Sequence, residues 1–323
     1  MLSNHDTAGE SASNRSAVRN ETVGPEHAGR RIDNYLLHLL KPAPKSLVYK
    51  LLRSGQVRVN GGRAKPDYRL AAGDVLRIPP VVAVAPGEVH IPATRLAQLE
   101  AAVLHEDEHF LIVDKPAGLA CHGGTGVPYG VIEMARRLRP TVPRLDLAHR
   151  LDRDTSGCLV LTKQLDALRD LHGGMREGQM EKRYLALVRG RLPAGLTHIR
   201  AALSNQRDAG VEKRARVKAE GKASETVIEG LEPAGAHSLL TLRLVTGRMH
   251  QIRAHAQHIG HPVAGDRLYG DPAFDAELAE LGLDRLFLHA SSLAFEADGR
   301  RFAVNAPLPP ALADVLARLR IAA

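Results

Sequence analysis

Nine residues, His149-Arg150-Leu151-Asp152-Arg153-Asp154-Thr155-Ser156-Gly157, gather two carboxylates, two guanidiniums, an imidazole and two hydroxyls. The run Leu159-Val160-Leu161 follows almost at once and reads as a buried strand. Charges at the mouth of such a strand are costly unless paired, so the cluster is either an ion-pair network or a reaction centre. As a centre it offers an ionised carboxylate, able to act as nucleophile or base when a cation keeps it charged. Asp152 and Asp154 both qualify on chemistry alone. Thr155-Ser156-Gly157 suits a turn in which Asp154 accepts backbone N–H bonds, a structural task.

A partner cation must come from elsewhere. Thr246-Gly247-Arg248-Met249-His250-Gln251-Ile252-Arg253 supplies guanidiniums just before and within a polar stretch, 251–259, that fits a helix. Taken alone, Arg253 is a helix-surface charge. The histidines at 250, 255, 258 and 261 lack the convergence of a zinc site, and no metal is expected. Cys121-His122-Gly123-Gly124-Thr125-Gly126 is a Gly-rich turn without the spacing and Lys of a phosphate-binding loop. Cys121 and Cys158 form no metal-type pair and no disulfide framework, and Cys158 reads as a small buried hydrophobe.

The elements that must position these groups are strands expected at 110–114, 159–162, 183–189, 238–245, 285–288 and 302–305. Helices are expected at 130–138, 165–176, 251–259 and 310–319. The interleaving indicates an α+β domain with a mixed, mainly antiparallel sheet and flanking helices, spanning 101–323. Hydrophobic residues make up 44% of the chain but aromatics only 3%, with no Trp, so the core must rest on aliphatic side chains.

Ahead of it, residues 28–80 carry eleven Lys/Arg against three Asp, an excess equal to the +8 of the entire chain. This module is the part that faces a polyanion. Two helices, 31–40 and 46–52, precede an alternating strand closed by Asn60-Gly61, the strongest short hairpin signal. Residues 1–27 are poor in apolar groups and are expected to be disordered; 81–100 read as a linker. No apolar run approaches ~20 residues and the first residues have no signal-peptide core, so a reducing cytoplasm is the expected compartment and no membrane contact is expected.

The string HRLDRDTSG resembles the signature of the RluA-type RNA pseudouridine synthases. Two further stretches resemble that family in the expected order. One is Lys182-Arg183-Tyr184-Leu185-Ala186-Leu187-Val188; the other is the 247–253 element, with Met249 where Thr is usual. His122-Gly123-Gly124, the KSLVYKLLRSG helix and Asp266-Arg267-Leu268-Tyr269-Gly270-Asp271 are similar to the RluC-type subgroup, which acts on large-subunit ribosomal RNA. RIDNYL, KSLVYKLLRSGQVRVNGG and LAAGDVLRIP resemble an S4 RNA-binding domain.

The resemblance implies a small S4-like domain followed by a pseudouridine-synthase domain. It assigns Asp152 as the catalytic carboxylate and Arg253 as its ion-pair partner, whose planar fork suits bidentate capture. It puts Tyr184 in the uracil pocket as a candidate proton relay, although a phenol near ~10 needs help to act as a base. Arg150 is expected to fill the space left by a flipped base. His149 either contacts phosphate or sets the loop. Arg31, Lys45, Lys50, Arg53 and Arg58 are the expected phosphate contacts of the basic module.

The implied reaction detaches uracil from C1′, rotates it and reattaches it through C5. It requires no redox change and no cofactor. Attack on C1′, elimination to a glycal and attack at C6 all stay open. The expected substrate is large-subunit ribosomal RNA, as a precursor or assembly intermediate, and the chain is expected to act as a monomer. The alternatives are a non-catalytic RNA-binding or ribosome-assembly factor, and hydrolysis of a glycosidic bond.

Overall fold

The computed structural model describes residues 18–40, 43, 45–81, 89–124, 126–206, 214–297 and 299–321, with backbone alone at 45 and 46. The chain divides into two units, Met1–His90 and Ile91–Ala323.

The first unit contains β1 (Arg19–Thr22), a 3-10 turn at Pro25–His27, α1 (Ile32–Leu39), α2 (Lys45–Arg53), β2 (Arg58–Val59), β3 (Gly62–Arg63) and β4 (Val75–Ile78). Ile32, Tyr35 and Leu36 of α1 recur at helical spacing and are buried, as are Val48, Leu51 and Leu52 of α2. These stripes share one core with Val57, Leu76 and Ile78. Asn60 and Gly61 both take positive φ, 49° and 80°, the backbone that a tight hairpin between β2 and β3 requires.

The expectation of a disordered 1–27 is corrected over its described part. β1 pairs antiparallel with β4 from Arg19↔Ile78 to Thr22↔Val75, and Val23 is buried. A strand added to a sheet edge needs backbone partners and one apolar anchor, and a largely polar segment can supply both. Residues 1–17 lie outside the described residues.

The second unit begins inside the expected linker. α3 (Ala93–Ala101) buries Leu99 in the main core, while 82–88 lie outside the described residues. Next come β5 (Val103–Glu106), β6 (Phe110–Lys115), α4 (Val131–Leu138), β7 (Asp146–Leu147), β8 (Ser156–Thr162) and α5 (Leu165–Arg176). β9 (Glu181–Val188), β10 (His198–Arg200), β11 (Leu203–Gln206), β12 (Arg214–Val217), β13 (Glu225–Ala234) and β14 (His237–Leu244) follow. The unit ends with α6 (Gln251–His258), α7 (Pro272–Glu280), β15 (Leu288–Ala297), β16 (Arg300–Asn305) and α8 (Pro310–Ile321). Residues 285–287, expected in a strand, precede β15.

The main sheet runs β10-β13-β14-β9-β15-β8-β6-β5, with β16 on β15 and β7 on β8. Among the described residues β15 and β8 run parallel and the other neighbours are antiparallel. β8 is buried throughout, and strand alternation divides its side chains between two cores. Leu159 and Leu161 join the core that includes α4. Cys158 and Val160 join the cluster built on Phe110 and Phe295.

Gly157 sits where β8 meets β15. Its φ is +111°, and a Cβ there would fall 2.2 Å from the carbonyl oxygen of Ala290. Gly157→Ala is therefore expected to lower stability by at least about 3 kcal/mol, because backbone strain and overlap with main chain add. Chemical denaturation of the two proteins checks this; a loss under about 1 kcal/mol would mean that the strands part easily here.

Candidate active site

β8 is the platform of the site, and the loop from β7 into it carries the HRLD cluster. That loop is fastened from the end of β6. Lys115, fully buried, donates to the carbonyls of Pro116 (2.9 Å), Leu119 (2.8 Å) and Arg153 (2.9 Å). Burial pushes its pKa down to about 8, yet three acceptors around one ammonium match its three N–H groups. Arg153 Nε returns a bond to the Gly118 carbonyl at 3.0 Å. Cys121 Sγ donates to the Leu151 carbonyl and accepts from the Leu151 N–H, both at 3.2 Å. The peptide before Asp152 is thus clamped from below.

His149 serves this loop. Its Nε2 accepts the Val160 N–H at 3.2 Å, and burial, then the nearby Lys182 charge, pushes its pKa down to about 3. The ring is neutral at physiological pH.

Asp152 and Arg253 meet, as expected, but not by the expected fork. Arg253 Nη1 donates to Asp152 Oδ2 at 3.2 Å. The bidentate grip goes to Asp266, with Nε–Oδ2 at 2.7 Å and Nη2–Oδ1 at 2.8 Å. Asp266 also accepts the N–H groups of Leu268 and Tyr269, each at 3.0 Å. The physical reason is burial: the Asp266 side chain is fully enclosed and must be neutralised, whereas that of Asp152 keeps 26% exposure. Burial opposes the charge of Arg253, but Asp266 and then Asp152 outweigh it, and its pKa lies above the ordinary value. The guanidinium also lies 5.1 Å from the centre of the Tyr269 ring.

Asp154 departs from its expected role. It is exposed and accepts no hydrogen bond among the described residues; the Thr155 N–H that would cap it bonds instead to the Asp152 carbonyl, at 3.2 Å.

The side chains of Asp152, Tyr184 and Arg253 line a cavity of about 820 Å³, together with His149 and Arg150. Tyr184 is buried, and burial, then the charge of Asp152, raises its phenol above the usual range. Arg150 is exposed. Met249 packs against the small cluster of Leu203, Ala215, Ala254 and Tyr269, so the departure from Thr fills space with an apolar side chain.

His250, ahead of α6 with φ 50°, stands out in the sequence only as a metal candidate. Its Nε2 lies 3.9 Å from Asp152 Oδ1 and its Nδ1 3.1 Å from the Tyr269 hydroxyl. His255 instead contacts Thr226 and the Ala201 carbonyl, and His261 the Arg189 carbonyl. Among the described residues no group of three or more His, Cys, Asp or Glu could hold a metal ion. No helix there is long and apolar enough to cross a membrane.

In the first unit Arg31, Lys50, Arg53 and Arg58 are exposed. Arg31 is also engaged, its Nε and Nη2 on the buried Asp33 at 3.1 and 2.7 Å. The side chain of Lys45 lies outside the described residues.

Comparison with known proteins gives the class. The RNA pseudouridylate synthase profile matches residues 109–258, and the S4 domain profile matches 30–76. Ribosomal large subunit pseudouridine synthase C of Pasteurella multocida (strain Pm70) is 47% identical over 94% of this chain and 94% of its own. The protein of that name from Escherichia coli (strain K12) is 46% identical over 94% and 97%. Among solved structures, Human RNA Pseudouridylate Synthase Domain Containing 4 is similar over 70% of this chain and 96% of its own, with 26% identity and a TM-score of 0.57. The chain belongs to the RluA-type RNA pseudouridine synthases, with an S4 domain ahead of the catalytic unit.

Proposed function

We propose that this chain isomerises uridines of large-subunit ribosomal RNA to pseudouridine, with Asp152 as the reacting carboxylate. The observation that carries this reading is the Asp152–Arg253 contact at the wall of the cavity, made by residues 101 apart in sequence. Full-length similarity to proteins named ribosomal large subunit pseudouridine synthase C supports the choice of RNA.

Each residue then has a task. Arg253 holds Asp152 in place beside ribose C1′ or the uracil ring through its hydrogen bond to Oδ2. A stacked or paired uridine shields those atoms, so the nucleotide must swing out, and Arg150 takes the space that it leaves. Tyr184 stays protonated and acts as a donor and packing surface for the base, not as the base catalyst. His149 shapes the loop rather than gripping phosphate. Arg31, Lys45, Lys50, Arg53 and Arg58 contact RNA backbone. The substrate is an unfinished large subunit, in which the target nucleotide is still reachable, and the enzyme works as a monomer in the cytoplasm.

Pseudouridine mapping in ribosomal RNA from cells lacking this gene tests the reading. Specific large-subunit positions are expected to be unmodified and to be restored by the wild-type gene. Tyr184→Phe is expected to restore them more slowly. An unchanged pseudouridine map in the deletion strain would sink the assignment, whatever the growth phenotype.

A further inference from the structure

The cavity wall is electrically one-sided. Arg150, Arg153, Arg176, Lys182, Arg248 and Arg253 line it, and Asp152 is the one carboxylate among the lining residues. Several of these cations have partners: Arg253 holds Asp152 and Asp266, Arg153 the Gly118 carbonyl, and Arg248 the Ala223 carbonyl. Arg150 and Arg176 are exposed. Lys182 is different, because it is half-buried and no carboxylate among the described residues acts on its charge.

Strand alternation explains how it comes to be there. Glu181 and Arg183 pair with each other on one face of β9, with Glu229 joining Arg183. Lys182 and Tyr184 therefore share the opposite face and line the cavity. Their Cα atoms are two residues apart, roughly 6.6 Å along a strand. The Lys182 ammonium reaches toward Gly247, where a Cβ would lie 3.8 Å from Nζ. It also acts on His149, whose ring is kept uncharged.

A desolvated ammonium without an anion is costly, and burial alone lowers the pKa of Lys182. A uracil carbonyl offers a dipole, whereas each nucleotide of RNA brings a full negative charge on its phosphodiester. We propose that Lys182 binds the phosphodiester adjoining the flipped uridine inside the cavity, and so sets where the sugar lies relative to Asp152. This rests on the cavity being the uridine site.

The test is single-turnover pseudouridine formation on large-subunit ribosomal RNA isolated from the deletion strain, from about 50 to about 200 mM salt. Lys182→Gln is expected to raise the half-saturating enzyme concentration about tenfold. It is also expected to flatten the log–log salt dependence by about 0.7 to 0.9, the loss of one phosphate contact. Lys182→Arg is expected to restore the slope. A Gln variant with the wild-type slope, or an Arg variant that fails to restore it, overturns the phosphate role.

Because Lys182 has no carboxylate to lose, the melting temperature of the RNA-free Gln variant is expected to hold or rise. A fall of several degrees assigns the lysine to the fold and overturns the proposal. Wild-type protein that leaves this RNA unmodified overturns the functional reading itself, and this inference with it.

Discussion

Asp152→Asn is expected to give a folded protein whose pseudouridine formation is lower by at least about 10⁴-fold, the loss that follows if the proposed reacting carboxylate is removed. The fold survives because little depends on this side chain. It keeps 26% exposure and accepts a single bond from Arg253, which retains its two-pronged contact with Asp266. The stability change is about 1 kcal/mol or less. Thermal melting together with pseudouridine assay of the purified variant gives both numbers. A variant that melts like wild type and still modifies RNA within tenfold of its rate would remove Asp152 from the chemistry. The competing idea of a non-catalytic assembly factor is favoured if this variant fully rescues cells lacking the gene.

Asp266→Ala acts in the opposite order, on the fold first. It strands a guanidinium whose side chain is only 10% exposed and leaves the Leu268 and Tyr269 N–H groups without their acceptor. Breaking a buried pair from one side costs about 3–5 kcal/mol. Against a total stability of about 5–15 kcal/mol that is a large share. The expected fall in melting temperature is about 6–20 °C. Activity falls as well at temperatures where the protein is folded, because Arg253 is no longer aimed at Asp152. Asp266→Asn keeps the shape and part of the bonding and should lie between the two. A melting temperature within about 2 °C of wild type for the Ala variant would show that Arg253 is held by other means.

The pairing of Asp152 with Arg253 was legible because each sits in a dense, ordered motif. How the five N–H groups of a guanidinium are divided was not. Asp266 stands in a recognisable string, but spacing cannot single out one acid among 36 as the buried partner. Lys115 directly follows the strand expected at 110–114 and nothing in the sequence ties it to the HRLD loop; only the folded loop brings the Arg153 carbonyl onto its ammonium. Asp154 looked like a turn cap because its neighbours suit a turn, but the turn closes on the carbonyl of Asp152 instead.

The same contrast holds for the fold. β8 announced itself through three aliphatic β-formers. β13, one of the two longest strands, went unseen because Gly230 and Pro233 interrupt it. Gly230 falls at a shift in register against β14, a local irregularity that the sheet absorbs and a residue pattern does not reveal. β1 hid within a polar stretch because its stability comes from the edge of β4.

The unequal division of Arg253 has a kinetic corollary. Asp152 is hydrogen-bonded to Arg253 through Oδ2 alone, with His250 Nε2 3.9 Å from Oδ1, so a turn about its own side-chain bond would leave the guanidinium locked on Asp266. In the isomerisation the same base departs by one atom and returns by another, so the acid proposed to act on it would face a moving partner. A rigid two-point clasp on Asp152 would hold it to one pose; the single tether leaves it an arm that can follow.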